Sequence, residues 1–234
     1  MAERPNSDVI VTEGVTKTYR DNGVPVEALR GIDLAIAPGE FTAIVGPSGS
    51  GKTTFLNIIS GLDTPSSGTV WLAGRELSRL SGKELSDTRR DRIGFIFQAY
   101  NLIPVLSVAE NVEYIMLLQG IDREERRQRV EDILENLGLG GMASRRPPQL
   151  SGGQQQRVAV ARAIVSRPAL ILADEPTANL DSKTAMDLID MMRRMNEESG
   201  ITFLFSTHDE RVMRGARRLV TLTDGLVNKD ERRD

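Results

Sequence analysis

Residues 46 to 54 read GPSGSGKTT, with Gly46, Gly51, Lys52 and Thr53 falling on the pattern G-x-x-x-x-G-K-[ST]. Phosphate oxygens want several backbone N–H donors converging on one point, and a chain curls that tightly where residues lack a Cβ. The same stretch supplies one ammonium, Lys52, placed to reach the outer phosphates of a nucleotide. It also supplies one hydroxyl, Thr53, of the kind that ligates Mg²⁺. Ser48, Gly49, Ser50 and Thr54 complete the cradle. A flexible Gly/Ser turn beside an exposed lysine is the plainer reading. The apolar run FTAIV ahead and the helix-competent TTFLNIIS behind favour the phosphate loop.

A second group follows the apolar run LILADEP. Buried strands seldom end in paired acids unless water or a cation awaits them, because a desolvated carboxylate is costly. In that setting Asp174 binds Mg²⁺ and Glu175 polarises the water that attacks the γ-phosphorus. A strand end simply entering solvent would look the same in isolation. A third group, LSGGQQQR at residues 150 to 157, sets a serine and two glycines before a helix and so makes a second anion-binding helix terminus from Ser151, Gly152, Gly153 and Gln154.

These groups need rigid elements to carry them. Phe41 to Val45, Ala169 to Ala173 and Ile201 to Phe205 are apolar almost throughout, as parallel strands covered on both faces are. Val9 to Thr12 and the alternating Ile32 to Ala37 suit short strands of an antiparallel, half-buried sheet. Between Ile121 and Leu137, Val130, Ile133, Leu134 and Leu137 recur at helical spacing ahead of Gly138, predicting an amphipathic helix. It sits in a helical lobe of about residues 99–165 inserted into an α/β core of about 1–98 and 166–234. The ending NKDERRD reads as a solvated tail, with no carboxy-terminal regulatory domain after the strand RLVTLTDG.

With 234 residues, 39% of them apolar, the chain is globular in composition, and a net charge of −3 argues against nucleic acid as a partner. The absence of cysteine removes disulfides and thiolate chemistry. MAERPNSDVIVTEG carries no signal-like apolar segment and nothing reaches membrane-spanning length, so a soluble, cytoplasmic protein is expected, with any membrane role coming through a partner.

Taken in order, the phosphate loop, acid pair and LSGGQ segment make the chain from Tyr19 to His208 resemble the ATP-binding cassette (ABC) ATPases. The resemblance implies an α/β fold with a P-loop NTPase (RecA-like) core, an antiparallel β subdomain and an inserted α-helical subdomain. It implies ATP and Mg²⁺ as ligands. Tyr19 in VTKTYR matches the aromatic that stacks on adenine, and Gln98 in FIFQAYNL the glutamine that senses Mg²⁺ and the attacking water. Asp181, with Asn179 and Leu180, matches the loop after the acid pair, and His208 in FSTHD the histidine that contacts the γ-phosphate. It further implies a homodimer that closes on two ATP molecules, each held between the phosphate loop of one copy and Ser151 to Gly153 of the other.

QAYNLIPVLSVAENV and TANLDS are similar to the group containing lipoprotein-releasing, macrolide-exporting and cell-division ATPases. That implies an integral membrane subunit contacting Ala99 to Leu106 and a location on the inner face of the membrane, with export or extraction as the outcome. A signalling complex that transports nothing is the alternative. Leu102, Ile103, Val105 and Leu106 are the apolar candidates for the floor of a groove accepting a short helix, although packing inside the helical lobe would explain them equally. RRPPQ before LSGG leaves open the angle at which the chain enters the helix that follows LSGG.

Overall fold

The computed structural model describes residues 8–21 and 24–233; the first part of MAERPNSDVIVTEG and Asp234 lie outside them. Strands β1 (Ile10–Asp21) and β2 (Val24–Ile36) form a long antiparallel pair, joined on the other side of β1 by β4 (Ser67–Leu72) and β5 (Arg75–Glu76). The two runs predicted as short strands are therefore the well-buried inner ends of strands 12 and 13 residues long, bent by register shifts along β1. The outer halves are mostly exposed, with Val24 and Val26 facing solvent and only Val15 and Leu29 fully buried, so burial there follows no alternation that the sequence shows.

The second sheet has the order β10-β9-β3-β8-β7-β6, from β10 (Leu226–Arg232), β9 (Arg218–Thr223), β3 (Phe41–Val45), β8 (Phe203–Thr207), β7 (Leu170–Asp174) and β6 (Ile93–Ile96). All its pairings are parallel except β10 with β9. Every residue of β3 and β8 is buried, as continuous apolar runs require. Phe41, Ala43 and Val45 enter one apolar cluster and Ile44 the other, so the period-two alternation divides β3 between two cores. Phe41 meets Phe203 and Phe205 with ring centroids 5.4 and 5.0 Å apart.

The expected tail is a correction. Its residues Asn228 to Arg232 belong to β10, an edge strand whose charge is anchored: Arg218 donates to Asp230 Oδ1 and Oδ2 at 2.8 and 2.7 Å and to Glu40 Oε2 at 2.7 Å. Charged residues on an edge strand satisfy the ladder while discouraging further pairing, so composition alone misreads them as tail.

Helices α1 (Lys52–Ile59) and α2 (Gly82–Arg92) precede β6; α3 (Val108–Leu118), α4 (Arg123–Asn136) and α5 (Gly152–Ile164) lie between β6 and β7; α6 (Ser182–Ser199) and α7 (Glu210–Arg214) flank β8. In α4 the predicted stripe is buried: Val130, Ile133 and Leu134 on the helix and Leu137 at its end, with Gly138 at φ +66° closing it. RRPPQ forms a turn of 3₁₀ helix, Pro147–Gln149, in which Gln149 Oε1 accepts from the Arg146 amide at 2.7 Å, and it delivers the chain to α5.

Candidate functional site

The parallel strands put the chemistry in one place. The loop 46–51 follows β3, Gln98 follows β6, Glu175 follows β7 and His208 follows β8, so all four leave the carboxyl edge of one sheet, where open α/β sheets present ligand sites.

After β3 the backbone doubles back at Gly46 and Gly51, with φ +149° and +102°. A Cβ on Gly46 would lie 2.1 Å from the Leu222 carbonyl oxygen, and one on Gly51 2.6 Å from that of Ala28, so both need glycine for room as well as for conformation. Lys52 opens α1, is 9% exposed, and donates to the carbonyls of Gly46 and Pro47 at 2.8 and 3.0 Å. Ser48 and Gly49 are exposed at the crest and Ser50 is buried. The first-turn amides of α1, from Lys52 to Thr54, have no partner within the helix. The loop thus offers an ammonium and a fan of N–H groups, a fit to polyphosphate.

Thr53 Oγ1 donates to Asp174 Oδ2 at 3.0 Å, joining residues far apart in the chain. A hydroxyl beside a carboxylate is a hard-oxygen pair that suits Mg²⁺. Among the described residues no cluster of three or more His, Cys, Asp or Glu groups forms, so a cation here would also need oxygens from its nucleotide or water. Glu175 has the left-handed φ of +48°, uncommon for a residue with a Cβ, and its Oε1 lies 2.8 Å from His208 Nδ1. An ionised carboxylate only accepts, so Nδ1 carries the proton at this contact.

Tyr19 is 38% exposed; its hydroxyl donates to Asp63 Oδ2 at 2.7 Å, and the Lys17 ammonium sits 4.8 Å from the ring centroid, covering one face. Burial raises the Tyr19 pKa, reinforced by its bond to Asp63. Burial also opposes ionisation of Asp63, but the hydrogen bonds from Lys17, Tyr19 and the Thr64 amide outweigh it and hold that carboxyl below its usual value.

Ser151, Gly152, Gly153 and Gln154 sit elsewhere. With Asn179, Leu180 and Asp181 they line a hollow of about 460 Å³ that includes no residue of the phosphate loop. Ser151 and Gln154 cap one another across the first turn of α5. Asp181 is the N-cap of α6: Oδ1 accepts from the Lys183 and Thr184 amides at 3.0 and 3.1 Å, and Oδ2 from the Thr184 hydroxyl at 2.6 Å. The Thr184 hydroxyl, above all, holds the Asp181 carboxyl below its usual pKa.

Exposed Gln98 has its carbonyl bound by Asn179 Nδ2 at 2.8 Å, linking the segment after β6 to the loop after the acid pair. Beyond it Tyr100 and Asn101 both take left-handed φ, +57° and +50°, and their carbonyls accept from Arg162 of α5 at 2.9 and 2.5 Å. Burial lowers the Arg162 pKa. Asn111, in the ENV stretch, holds the next segment by accepting from the Ile103 amide at 2.8 Å and donating to the carbonyls of Ile103, Leu106 and Ser107. Of the four apolar residues singled out there, Leu102 packs on the core, Leu106 is half-buried, Ile103 lines an open groove of about 590 Å³ and Val105 is 70% exposed. The rest of the groove includes Phe95, Phe97, Tyr114, Leu118 and Arg162.

The sequence reading did not single out Ser206, Gln156, Asn111 or Arg162. Buried Gln156 donates to the Pro176 carbonyl at 2.5 Å, tying α5 to the residue after Glu175. The available signal for Ser206 is a hydroxyl residue closing the apolar run FLF, one residue before the end of β8.

The family described as ABC transporter matches residues 29–178. An ABC transporter ATP-binding protein of Thermotoga maritima is 45% identical over 219 residues, covering 94% of this chain and 93% of its own. The macrolide export ATP-binding/permease protein MacB of Marinobacter nauticus is 45% identical across 98% of this chain, which spans 35% of that relative's length. The cassette MJ0796 of Methanocaldococcus jannaschii, solved as a dimer in a post-hydrolysis state bound to ADP and Pi, superposes with TM-score 0.87 at 44% identity, covering 95% of this chain and 98% of that one.

Proposed function

Because this chain belongs to the ABC transporter family, we propose that it is one half of a two-chain ATPase motor that drives a membrane subunit. It is an ATP-binding, ATP-hydrolysing cassette. The observation that carries the assignment of its catalytic groups is the junction of Thr53, Asp174, Glu175 and His208 at one sheet edge.

In this reading Lys52 exchanges the carbonyls of Gly46 and Pro47 for the β- and γ-phosphates, and the amides of residues 48 to 54 hold the remaining oxygens. Thr53, Asp174 and Gln98 would hold Mg²⁺, which would supply charge neutralisation at the phosphates. Glu175 accepts a proton from water as its oxygen bonds to the γ-phosphorus; the bond to the β–γ bridging oxygen breaks, giving ADP and phosphate. His208 orients Glu175 and faces the γ-phosphate. Tyr19 offers adenine the ring face away from Lys17.

Ser151, Gly152, Gly153 and Gln154 lie apart from the phosphate loop of their own chain, which supports a homodimer in which each copy caps the ATP of the other. Asp181 contributes by fixing the loop before α6 at that junction. Residues 99–165 act as a helical subdomain, and the groove beside Ala99 to Leu106 receives a short helix of the membrane subunit, holding the cassette at the inner face of the membrane. Among the described residues no helix is long and apolar enough to cross a membrane. Export or extraction is the direction supported by similarity to macrolide export proteins, whose ATP-binding and permease parts share one chain.

Replacing Glu175 by glutamine tests the assignment. ATP binding persists, hydrolysis falls by several orders of magnitude and an ATP-bound dimer accumulates in size-exclusion chromatography. Wild-type turnover would put the base elsewhere.

A further inference from the structure

We propose that Ser206 is a positioning residue for both carboxylates of the site, one hydroxyl fixing the Asp174 side chain and the Glu175 backbone together. The proposal rests on the reading of Asp174 as a cation ligand. Ser206 lies on β8 in parallel register with Asp174 on β7 and is fully buried. Its Oγ donates to Asp174 Oδ1 at 2.5 Å and accepts from the Glu175 amide at 3.0 Å. A hydroxyl has one proton, and the carboxylate takes it; a lone pair is then left for the amide.

Two consequences follow from that geometry. Binding Oδ1 turns Oδ2 toward Thr53, the direction in which a cation would be shared. Holding the amide fixes Glu175 in a left-handed conformation that a residue with a Cβ adopts only when its surroundings impose it. The Glu175 carboxylate can then meet His208.

The test compares Ser206→Thr, which keeps the hydroxyl, with Ser206→Val, which has nearly the same shape without it; Ser206→Ala removes the added bulk of both. Two measurements are made on the full chain: Mn²⁺ affinity in the presence of a non-hydrolysable ATP analogue, by electron paramagnetic resonance, and the Mg²⁺ dependence of ATP hydrolysis. Affinity for a fluorescent ATP analogue in EDTA and the melting temperature serve as controls. The valine and alanine variants should bind Mn²⁺ about 10-fold to 100-fold more weakly and lose kcat by a similar factor, while metal-free nucleotide affinity stays unchanged and threonine restores both.

Unchanged Mn²⁺ affinity in valine and alanine overturns the proposal. So does an equal loss in the threonine variant, or a loss of metal-free nucleotide binding that tracks the melting temperature, since either marks packing alone. Asp174→Asn, run alongside, separates the premises: if it leaves Mn²⁺ affinity intact, the assignment of Asp174 fails, whatever Ser206 does.

Discussion

Replacing Gly94 by alanine probes how closely the edge strand that leads to Gln98 lies against the helix that begins at Ser151. Gly94 is in β6, and a Cβ there would stand 2.2 Å from the Ala163 carbonyl oxygen of α5 and 2.6 Å from Ile171 Cδ1. The oxygen is backbone and cannot rotate away, so strand and helix must part by roughly 1 Å to reach ordinary contact. Overpacking of this kind costs about 1–3 kcal/mol, which for a chain of this size lowers the melting temperature by about 2–12 °C. Gly82→Ala, whose Cβ meets nothing within 4 Å at the start of α2, is the control and should be neutral or slightly stabilising. Calorimetry gives the stability. ATPase assays should show hydrolysis falling more than nucleotide binding, because α1, which follows the phosphate loop, packs through Phe55, Leu56, Ile58 and Ile59 in the other apolar cluster. A Gly94→Ala protein that melts within about 1 °C of the original and hydrolyses ATP normally would refute the close approach.

Tyr19→Ala should weaken ATP binding by about 10-fold to 100-fold, read by fluorescence titration, while Tyr19→Phe keeps the ring and stays near the original. Asp230 is held below its usual pKa chiefly by the hydrogen bonds from Arg218. Its contribution is therefore present at neutral pH and lost as pH falls below about 4 and through the lowered folded-state value, so Asp230→Asn should flatten that part of the acid-unfolding curve. Ile103→Asp or Val105→Asp should release the membrane subunit in co-purification while ATP binding is unaffected; intact assembly would move the docking segment elsewhere. Arg162→Leu leaves the carbonyls of Tyr100 and Asn101 without their donor, and should speed hydrogen exchange across residues 99–106 relative to α4.

What the sequence made legible is what is local. The spacing of Gly46, Gly51, Lys52 and Thr53, the acid pair ending an apolar run, and Ser151 ahead of Gly152 each hold within a few residues of chain, because loop curvature, strand ends and helix caps are short-range matters. The buried runs of β3, β7 and β8 were plain for the same reason. Contacts made across the fold were not legible. Nothing near Asn179 announces that its side chain holds the Gln98 carbonyl, and Ser206 looks like one polar residue in ITFLFST until β7 lies beside it. Edge strands also escape notice: β6 is four residues long, and the charges of β10 imitate a tail. The outer halves of β1 and β2 are held by the ladder and by polar ties such as Lys17 and Tyr19 to Asp63, which leave little apolar periodicity to read.

Helix α5, thirteen residues and about 20 Å long, has its first turn in the hollow with Asn179 and Asp181, while Arg162 near its other end grips the chain beside the open groove. A stiff rod held like this behaves as a seesaw. Tipping it by about 5° round its middle carries each end roughly 1 Å, in opposite senses, farther than a hydrogen bond stretches before it fails. A push on the Arg162 end that tipped α5 as one body would be felt, reversed, at Ser151.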